Sequence, residues 1–478
     1  MEQRNVDVAI LGAGTAGLSA RRAAKKAGAT AVMIDPGPFG TTCARVGCMP
    51  SKLLIAAADV AHSAAEAAPF GIEIPQVKID GPAVMKRVQA ERDRFVGFVS
   101  DAIETAKEQG ELLVGRGRVT GPGTLQLDEH TEVTFKRLVI ATGSTSFTPP
   151  PFRGLEQVLL SNEEVFEMDD LPTSMLVVGL GVIGLELGQA FARLGVRVTL
   201  VGLGGMIGPL SDPAVKKEAL EVFSRELDLH DDYTLHGIEP VDGGVQVRFR
   251  DSKGTERDEL FEKVLMAAGR SPNLRNLGLD AMGIEADERG RYTIDPLSLQ
   301  LGEHPVFVAG DVNGMRPLLH EAAHDGRVAG KNAAAFPEIE SPERQVSMGV
   351  VFTAPQIGMV GQSYAELESC AAVAGEVDYG GQGRARVHRK NAGRVRVYAD
   401  KDSGVLLGAE LFGPAVEHLT HLLAWVVQRG LTVHEVLELP FYHPVIEEGL
   451  RTALVDLRAN LHQGERIKCQ VSEMGPGA

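Results

Sequence analysis

VDVAILGAGTAGL, residues 6–18, is the stretch that decides the fold of this chain. Its first half is a short apolar run of the kind that forms a buried parallel strand. Three glycines follow with the spacing G-x-G-x-x-G, a helical stretch then runs to Ala27, and a second short strand closes on Asp35. Strand, glycine turn, helix, strand and acid, in this order, predict the βαβ unit that binds a dinucleotide.

The same order returns later in the chain. Met175–Val178 reads as a buried strand, a second G-x-G-x-x-G spacing follows, a helical stretch runs to Leu194, and Val196–Val201 reads as the next strand. One such glycine motif is weak evidence, whereas two copies, each between a strand and a helix, are strong evidence. The sequence therefore predicts an α/β protein with two Rossmann-like nucleotide-binding domains.

Further strand ends and a change of texture predict the domain limits. Apolar runs close at 138–143, 264–269 and 306–311, while beyond Arg344 the pattern alternates as in an antiparallel sheet, with a helix at Glu417–Gln428. We therefore expect one nucleotide-binding domain at 1–150 and 275–343, a second at 151–274, and a C-terminal α+β domain at 344–478.

Composition limits the class of protein. The 478 residues are 44% hydrophobic and 23% charged, as in globular proteins, and 64 acidic against 48 basic residues give a net charge of −16. This balance disfavours nucleic acid and anionic membranes as partners. The charged N-terminus and the lack of a long apolar run predict neither a secretory leader nor a membrane span. Four cysteines in so long a chain fit the reducing cytoplasm.

Two of the cysteines stand five residues apart, at Cys43 and Cys48. In a straight helix their Cα atoms would lie roughly 8–9 Å apart, whereas a disulfide needs less than about 7 Å. A bonded pair therefore requires a distorted helix, for which Gly47 and Pro50 are suitable places. A redox disulfide and two reduced, buried cysteines both remain open, and a metal site is disfavoured because no Cys/His cluster accompanies the pair.

Near the other end, His443 precedes two carboxylates, Glu447 and Glu448. A carboxylate that accepts from one ring nitrogen fixes the tautomer and raises the basicity of the other nitrogen, so this histidine is a candidate to take a proton from a thiol. The alternative is an ordinary turn residue before Pro444.

Taken together, these motifs resemble one family over nearly the whole chain. The order is glycine fingerprint, C-x4-C-x-P-S-K, A-T-G, second fingerprint, A-A-G-R-x-P-N, A-G-D and H-P-x-x-x-E. It is similar to the pyridine nucleotide–disulfide oxidoreductases, flavoproteins that include the dihydrolipoyl dehydrogenases. The resemblance implies a homodimer whose C-terminal domain is the interface and carries its His–Glu pair to the partner subunit's flavin.

The resemblance also implies the cofactor sites. FAD would contact Gly12, Gly14, Gly17, Asp35 (at the ribose), Lys52, Gly117, Thr142, Gly143, Ser144, Asp311, Leu319 and His320. NAD would contact Gly179, Gly181, Gly184, Glu186 and Gly269. Glu186 is in addition the expected ion-pair partner of Lys52; without the resemblance, both would read as solvated helix charges.

The implied chemistry is a Cys43–Cys48 disulfide that exchanges with the substrate at Cys43 and passes electrons to the flavin from Cys48. His443, oriented by Glu448, would carry the proton, and the nicotinamide would exchange hydride with the flavin.

Dihydrolipoyl dehydrogenase is the expected member, because Gly184 and Gly188 resemble NAD-type members and no basic residue follows the strand at Val201 until Lys216. The substrate would then be dihydrolipoamide on a lipoyl-bearing protein, oxidised with NAD⁺.

Several residues depart from the family pattern. Gly202 stands where NAD-type members carry an acid, which leaves NADP open as the nucleotide. Thr41, Arg45 and the stretch Pro440-Phe441-Tyr442 alter the expected substrate entrance. The alternatives are an NAD(P)H-dependent reductase of another small disulfide, a nicotinamide transhydrogenase, or a flavin-bound protein without turnover.

Overall fold

The computed structural model describes residues 2–127, 129, 131–367 and 371–463. Cys370 and Cys469 lie outside this part of the chain. The strands are β1 (Glu2–Leu11), β2 (Ala31–Asp35), β3 (Leu112–Val114), β4 (Arg118–Gly121), β5 (Thr124–Gln126), β6 (Thr131–Ile140), β7 (Ser144–Ser146), β8 (Leu159–Leu160), β9 (Ser174–Val178), β10 (Arg197–Val201), β11 (Asp228–His230), β12 (Tyr233–Val241), β13 (Gly244–Asp251), β14 (Glu256–Phe261), β15 (Lys263–Met266), β16 (Arg270–Pro272), β17 (Val306–Val308), β18 (Met348–Val351), β19 (Gln356–Gly361), β20 (Ala372–Asp378), β21 (Arg394–Asp400) and β22 (Leu406–Gly413).

Twelve α-helices are found within the described residues. They are α1 (Thr15–Lys26), α2 (Thr42–Val46), α3 (Cys48–Ala65), α4 (Gly81–Glu108), α5 (Val182–Arg193), α6 (Pro213–Phe223), α7 (Leu319–Ala335), α8 (Tyr364–Leu367), α9 (Gly383–Val387), α10 (Val416–Gln428), α11 (Val433–Leu437) and α12 (Glu448–Gln463). In the described part of the chain, no helix is both long and apolar enough to cross a membrane.

The first sheet is built around β1. Its strand order is β3-β2-β1-β6-β5-β4. In addition, β17 pairs in parallel with residues 138–140 at the end of β6. Residues 8–11 of β1 are almost fully buried, which explains the continuous apolar run, and α1 packs against both β1 and α7. This sheet therefore draws strands from two distant parts of the sequence.

The second sheet repeats the design with the order β11-β10-β9-β15-β8, all parallel. The antiparallel strands β12, β13 and β14 stand beside it and share its apolar core. The C-terminal sheet, β18-β19-β22-β21-β20, is antiparallel and is covered by α10 and α12. Two Rossmann-like folds and a separate α+β domain are thereby confirmed, while the predicted domain limits stay a prediction.

One hydrophobic core crosses from the second nucleotide fold into the C-terminal domain. Leu185 of α5 lies in the same cluster as Val351, Ile357 and Phe412, which come from three strands of the C-terminal sheet. The rings of Phe223 and Phe412 meet edge to face, with their centroids 5.2 Å apart. These two parts of the chain therefore pack as one body.

Two buried carboxylates fasten the same boundary. Asp212, fully buried at the start of α6, accepts from Arg396 at 2.8 Å and from the Tyr398 hydroxyl at 2.9 Å. Glu410, also fully buried, accepts from the backbone N–H groups of Asp212 and Tyr364, both within 2.9 Å. Since buried carboxylates are tolerated only when they are well hydrogen-bonded, these contacts fix how the two parts meet.

Candidate active site

The two glycine fingerprints form the same turn in both nucleotide folds. A Cβ on Gly12 would overlap the carbonyl oxygen of Ala141, and a Cβ on Gly179 would overlap that of Ala267. The φ angles of these glycines are 109° and 114°, values that side chains rarely adopt. Gly17 and Gly184 are equally tight, because a Cβ on either would overlap the carbonyl of the first glycine of its own motif.

The middle glycines, Gly14 and Gly181, face open space, with no atom within 4 Å of an added Cβ. They begin α1 and α5, neither of which has a side-chain N-cap or an acidic residue in its first turn. The free N–H groups of such helix ends favour a phosphate. The residues present therefore fit a dinucleotide pyrophosphate at each fold.

The two folds differ in the residue at the end of their second strand, which is an acid in the first fold and a glycine in the second. Asp35 ends β2, and its carboxylate accepts from the N–H groups of Ala13 at 2.7 Å and Gly37 at 2.6 Å, which places it beside the first glycine turn. In the second fold the corresponding strand, β10, is followed by Gly202. A Cβ there would come within 2.7 Å of the Leu180 side chain.

The cysteine pair lies across a break between two helices. α2 ends at Val46, Gly47 takes a non-helical conformation (φ −136°, ψ −115°), and α3 begins at Cys48. The predicted distortion is therefore at Gly47 and not at Pro50, because proline is accommodated in the first turn of α3, where its missing N–H has no partner to lose. Cys43 and Cys48 are present as two thiols in mutual contact, the former half-buried and the latter exposed.

The two thiols have opposite proton affinities. The hydrogen bond from the Cys43 thiol, together with the nearby Lys52 ammonium, lowers the pKa of Cys48 to about 7. The same hydrogen bond and burial raise the pKa of Cys43 well above its ordinary value. Cys48 is therefore the thiolate of the pair near neutral pH, and Cys43 holds the shared proton.

Lys52 is held where three segments meet. Its ammonium pairs with Glu186 of α5 at 2.7 Å and lies 4.5 Å from the centroid of the Phe352 ring. The other oxygen of Glu186 accepts from the Phe352 N–H at 2.9 Å. Glu186 is almost fully buried, and its ion pair with Lys52 joins α3 to α5. The alternative interpretation, that both residues are solvent-exposed charges on their helices, is therefore wrong.

A hydrogen-bond network that sequence reasoning missed joins the cysteine helices to Asp311. Asn162 donates to the Val46 carbonyl at 2.7 Å and accepts from Arg270 at 2.8 Å. Arg270 also donates to the Ser144 hydroxyl at 2.8 Å, and that hydroxyl donates to Asp311 at 2.9 Å. The A-A-G-R motif contained Arg270, whereas no local pattern marked Asn162.

Most of the remaining residues expected at the flavin border this region. Ser144 and Asp311 belong to the network above, while the Thr142 hydroxyl donates to the Asn273 carbonyl at 2.7 Å. A Cβ on Gly143 would meet no atom within 4 Å, and the same holds for Gly269, which is expected at NAD and not at the flavin. Gly117 packs closely on side chains of β1 and β2, and Leu319 and His320 open α7 as exposed residues.

His443 and Glu448 form the pair that their spacing suggested. The Nδ1 atom of His443 lies 2.9 Å from Glu448 Oε1, and the second oxygen of Glu448 accepts from the Val445 N–H at 3.1 Å. The bond to His443 holds the pKa of the Glu448 carboxyl below its ordinary value. The His443 side chain is 80% exposed, and within the described residues no hydrogen bond joins it to either cysteine of the same chain.

Two dinucleotide folds, a thiol pair with one acidic member and a separate histidine–carboxylate pair define a class of redox protein that moves electrons between a disulfide and a nucleotide. Family models agree: "Pyridine nucleotide-disulphide oxidoreductase" matches residues 6–326, and the dimerisation domain of the same family matches residues 347–454. The chain belongs to the pyridine nucleotide-disulphide oxidoreductase family. It is an enzyme of that type, and its cofactors are FAD and NAD(H).

Individual relatives agree with the assignment. The dihydrolipoyl dehydrogenase of Haloferax volcanii is 32% identical over 461 residues, which cover 94% of this chain and 95% of the relative. Among solved structures, LpdA from Mycobacterium tuberculosis has a TM-score of 0.79 at 24% identity, covering 95% of this chain and 99% of that one. The flavoprotein disulfide reductase RclA from Escherichia coli, solved as a Cu(II) complex, has a TM-score of 0.78 at 21% identity with the same coverage. The structural likeness concerns the fold alone.

Proposed function

We propose that this enzyme is a dihydrolipoyl dehydrogenase that oxidises dihydrolipoamide to lipoamide and reduces NAD⁺. The observation that carries the proposal is the thiol pair, in which Cys48 is exposed beside Lys52 and has a pKa of about 7. The curated relative from Haloferax volcanii supports the choice of substrate. A cytoplasmic homodimer acting on a lipoyl-bearing protein or a small disulfide completes the proposal.

The first half-reaction is a pair of thiol–disulfide exchanges. In the oxidised enzyme one thiolate of dihydrolipoamide attacks Sγ of Cys43, the Cys43–Cys48 bond breaks, and Cys48 leaves as a thiolate. The second substrate thiol then attacks the substrate sulfur bonded to Cys43, which closes the lipoamide ring and releases Cys43. Two electrons pass from the substrate to the cysteine pair in this way.

The protein's own groups favour each of these steps. A leaving thiol with a low pKa leaves faster, so the lowered pKa of Cys48 favours the first exchange. The partner subunit's His443, held by Glu448, takes the proton of the attacking thiol. Lys52 stabilises the thiolate of Cys48, and Glu186 holds Lys52 in place.

The glycine turns and uncapped helix ends at α1 and α5 would hold the two pyrophosphates, with Asp35 at the adenosine ribose of FAD. Bound FAD supplies the two-electron transfer between the cysteine pair and the nicotinamide. The network from Asn162 to Asp311 fixes the cysteine helices relative to the residues expected at the flavin.

The test is a comparison of initial rates of dihydrolipoamide oxidation by FAD-loaded protein with NAD⁺ and with NADP⁺. Fast turnover with NAD⁺ is the expected result. If neither nucleotide supports turnover although NADH still reduces the cysteine pair, the substrate is another disulfide. Tyr442, 79% exposed beside His443, and Arg45, two residues after Cys43, are the residues that favour this second candidate, because both alter the expected entrance.

A further inference from the structure

The second nucleotide fold lacks an acid where such folds usually have one. In NAD-binding folds a carboxylate at the end of the second strand hydrogen-bonds the ribose 2′-hydroxyl. Here that strand is β10, and Gly202 follows it. Since a Cβ at this position would come within 2.7 Å of the Leu180 side chain, an acid at position 202 would require Leu180 to move.

The neighbouring strand supplies a carboxylate at the same level. β10 and β11 are parallel, Val201 pairs with His230, and the Gly202 N–H donates to the His230 carbonyl at 2.8 Å. The residue level with Gly202 is therefore Asp231, whose carbonyl accepts from the Gly205 N–H at 3.0 Å. The 202–206 loop is thus tied to the end of β11.

The two acids after β11 have different roles in this loop. The Asp232 carboxylate accepts from the Gly204 N–H at 3.3 Å and so helps to shape the loop. The Asp231 carboxylate has no hydrogen-bond donor among the described residues, and its Oδ2 lies 3.7 Å from the place of a Cβ on Gly205. Asp231 is therefore the carboxylate with acceptor capacity left for a ligand.

We propose that Asp231 is the residue that selects the ribose 2′-hydroxyl of NAD against the 2′-phosphate of NADP. The inference rests on the proposed NAD-linked function and names the residue that replaces the missing acid. A carboxylate accepts hydrogen bonds from ribose hydroxyls, whereas a phosphate monoester brings up to about two negative charges to the same place. Repulsion between the Asp231 carboxylate and the 2′-phosphate would weaken the binding of NADP, which adds to the hydrogen bond that only the ribose hydroxyl of NAD can make.

Two lysines near this loop would have the opposite effect on nucleotide selection. Lys216 and Lys217 of α6 line a shallow cavity that also includes Gly205. Lys217 is 78% exposed and lies 3.9 Å from the carboxylate of Glu221, so part of its charge is balanced on its own helix. If these lysines, and not Asp231, governed the site, a 2′-phosphate would be preferred.

Binding of nucleotide fragments to the FAD-loaded protein tests the proposal without any disulfide substrate. Dissociation constants for ADP-ribose and for 2′-phospho-ADP-ribose are measured by isothermal titration calorimetry on the wild type, Asp231→Asn and Asp232→Asn. We expect the wild type to bind ADP-ribose at least ~10-fold more tightly, and Asp231→Asn to reduce this ratio by about 10-fold, as for the loss of one strong polar contact. Asp232→Asn, which removes the same charge one residue away, should keep most of the preference.

An unchanged ratio in Asp231→Asn, or a wild-type preference for the 2′-phosphate, would overturn the proposal. In the latter case the double variant Lys216→Gln/Lys217→Gln should lose the preference. Because no dithiol enters the measurement, a failure of dihydrolipoamide as substrate leaves the result intact, and the two failures are distinguishable.

Discussion

The side-chain amide of Asn162 donates a hydrogen bond of 2.7 Å to the main-chain carbonyl of Val46, the last residue of α2. Carbonyls at helix ends have no partner within the helix, and Val46 is 2% exposed, so this bond replaces one that water cannot supply. Asn162 therefore stabilises the chain just before the break at Gly47, which brings Cys48 to Cys43.

Replacing Asn162 by alanine should lower the free energy of unfolding by about 2 kcal/mol, because it leaves the Val46 carbonyl without a partner. Ser146→Ala, which removes a 2.9 Å bond to the same asparagine and a 3.3 Å bond from Arg270 but leaves the Val46 contact, should cost about 1 kcal/mol or less. Urea unfolding of both variants checks this. Equal losses in the two variants would contradict the role given to the Val46 bond.

The charges around Cys48 make its titration sensitive to two substitutions in opposite directions. Lys52 lowers and Glu186 raises the pKa of this thiol. Lys52→Met should therefore raise the pKa of Cys48 above about 7, and Glu186→Gln should lower it. The pH dependence of the long-wavelength thiolate–flavin absorbance of the two-electron-reduced enzyme measures both shifts. A rise of the Cys48 pKa in both variants would contradict this prediction and show that Glu186 acts mainly by holding Lys52 in place.

The contact between His443 and Glu448 predicts a selective effect on catalysis. Glu448→Gln removes the carboxylate that orients the ring, so we expect kcat to fall by roughly 100-fold, within the usual contribution of general acid–base groups. Glu447→Gln is the matched control, since Glu447 lies one residue away and Glu448 is the acid that contacts His443. Initial rates and their pH profile should separate the two variants, and equal activities would mean that Glu448 is not needed.

The buried pair of Asp212 and Arg396 predicts a large effect on stability. Asp212→Asn keeps an acceptor for the N–H groups that begin α6 but removes the charge opposite Arg396, so the free energy of unfolding should fall by about 3 kcal/mol. Lys136→Gln, which breaks an exposed pair with Asp7, should change it by less than about 1 kcal/mol. Guanidinium unfolding compares them. A small loss of stability in Asp212→Asn would contradict this prediction and mean that the surrounding residues rearrange to accommodate Arg396 without its charged partner.

Local patterns predicted both nucleotide folds, and the spacing of Cys43 and Cys48 marked them as candidate reactive residues. The strands and helices around Gly12 and Gly179 follow from apolar runs punctuated by glycine. Gly47 and Pro50 both suited a distorted helix, and the structure has the break at Gly47. Long-range contacts were beyond such patterns. Asn162 lies far from Val46 in sequence, and Asp231 becomes level with Gly202 only through the register of β10 and β11. Two acids follow His443 in the sequence; the family resemblance named Glu448 as its partner, and Glu448 is the acid that contacts the ring.

The apolar core that joins α5 to the C-terminal sheet also bears on motion. Domains joined by a large hydrophobic interface lose the freedom to rotate about a linker. Leu185, Val351 and Phe412 share that core, and the fully buried Asp212 and Glu410 form hydrogen bonds across the same boundary. We therefore expect little rotation of the second nucleotide fold relative to the C-terminal domain. Rotation of the second nucleotide fold away from the C-terminal domain would expose this core to water, so we expect that movement not to limit turnover.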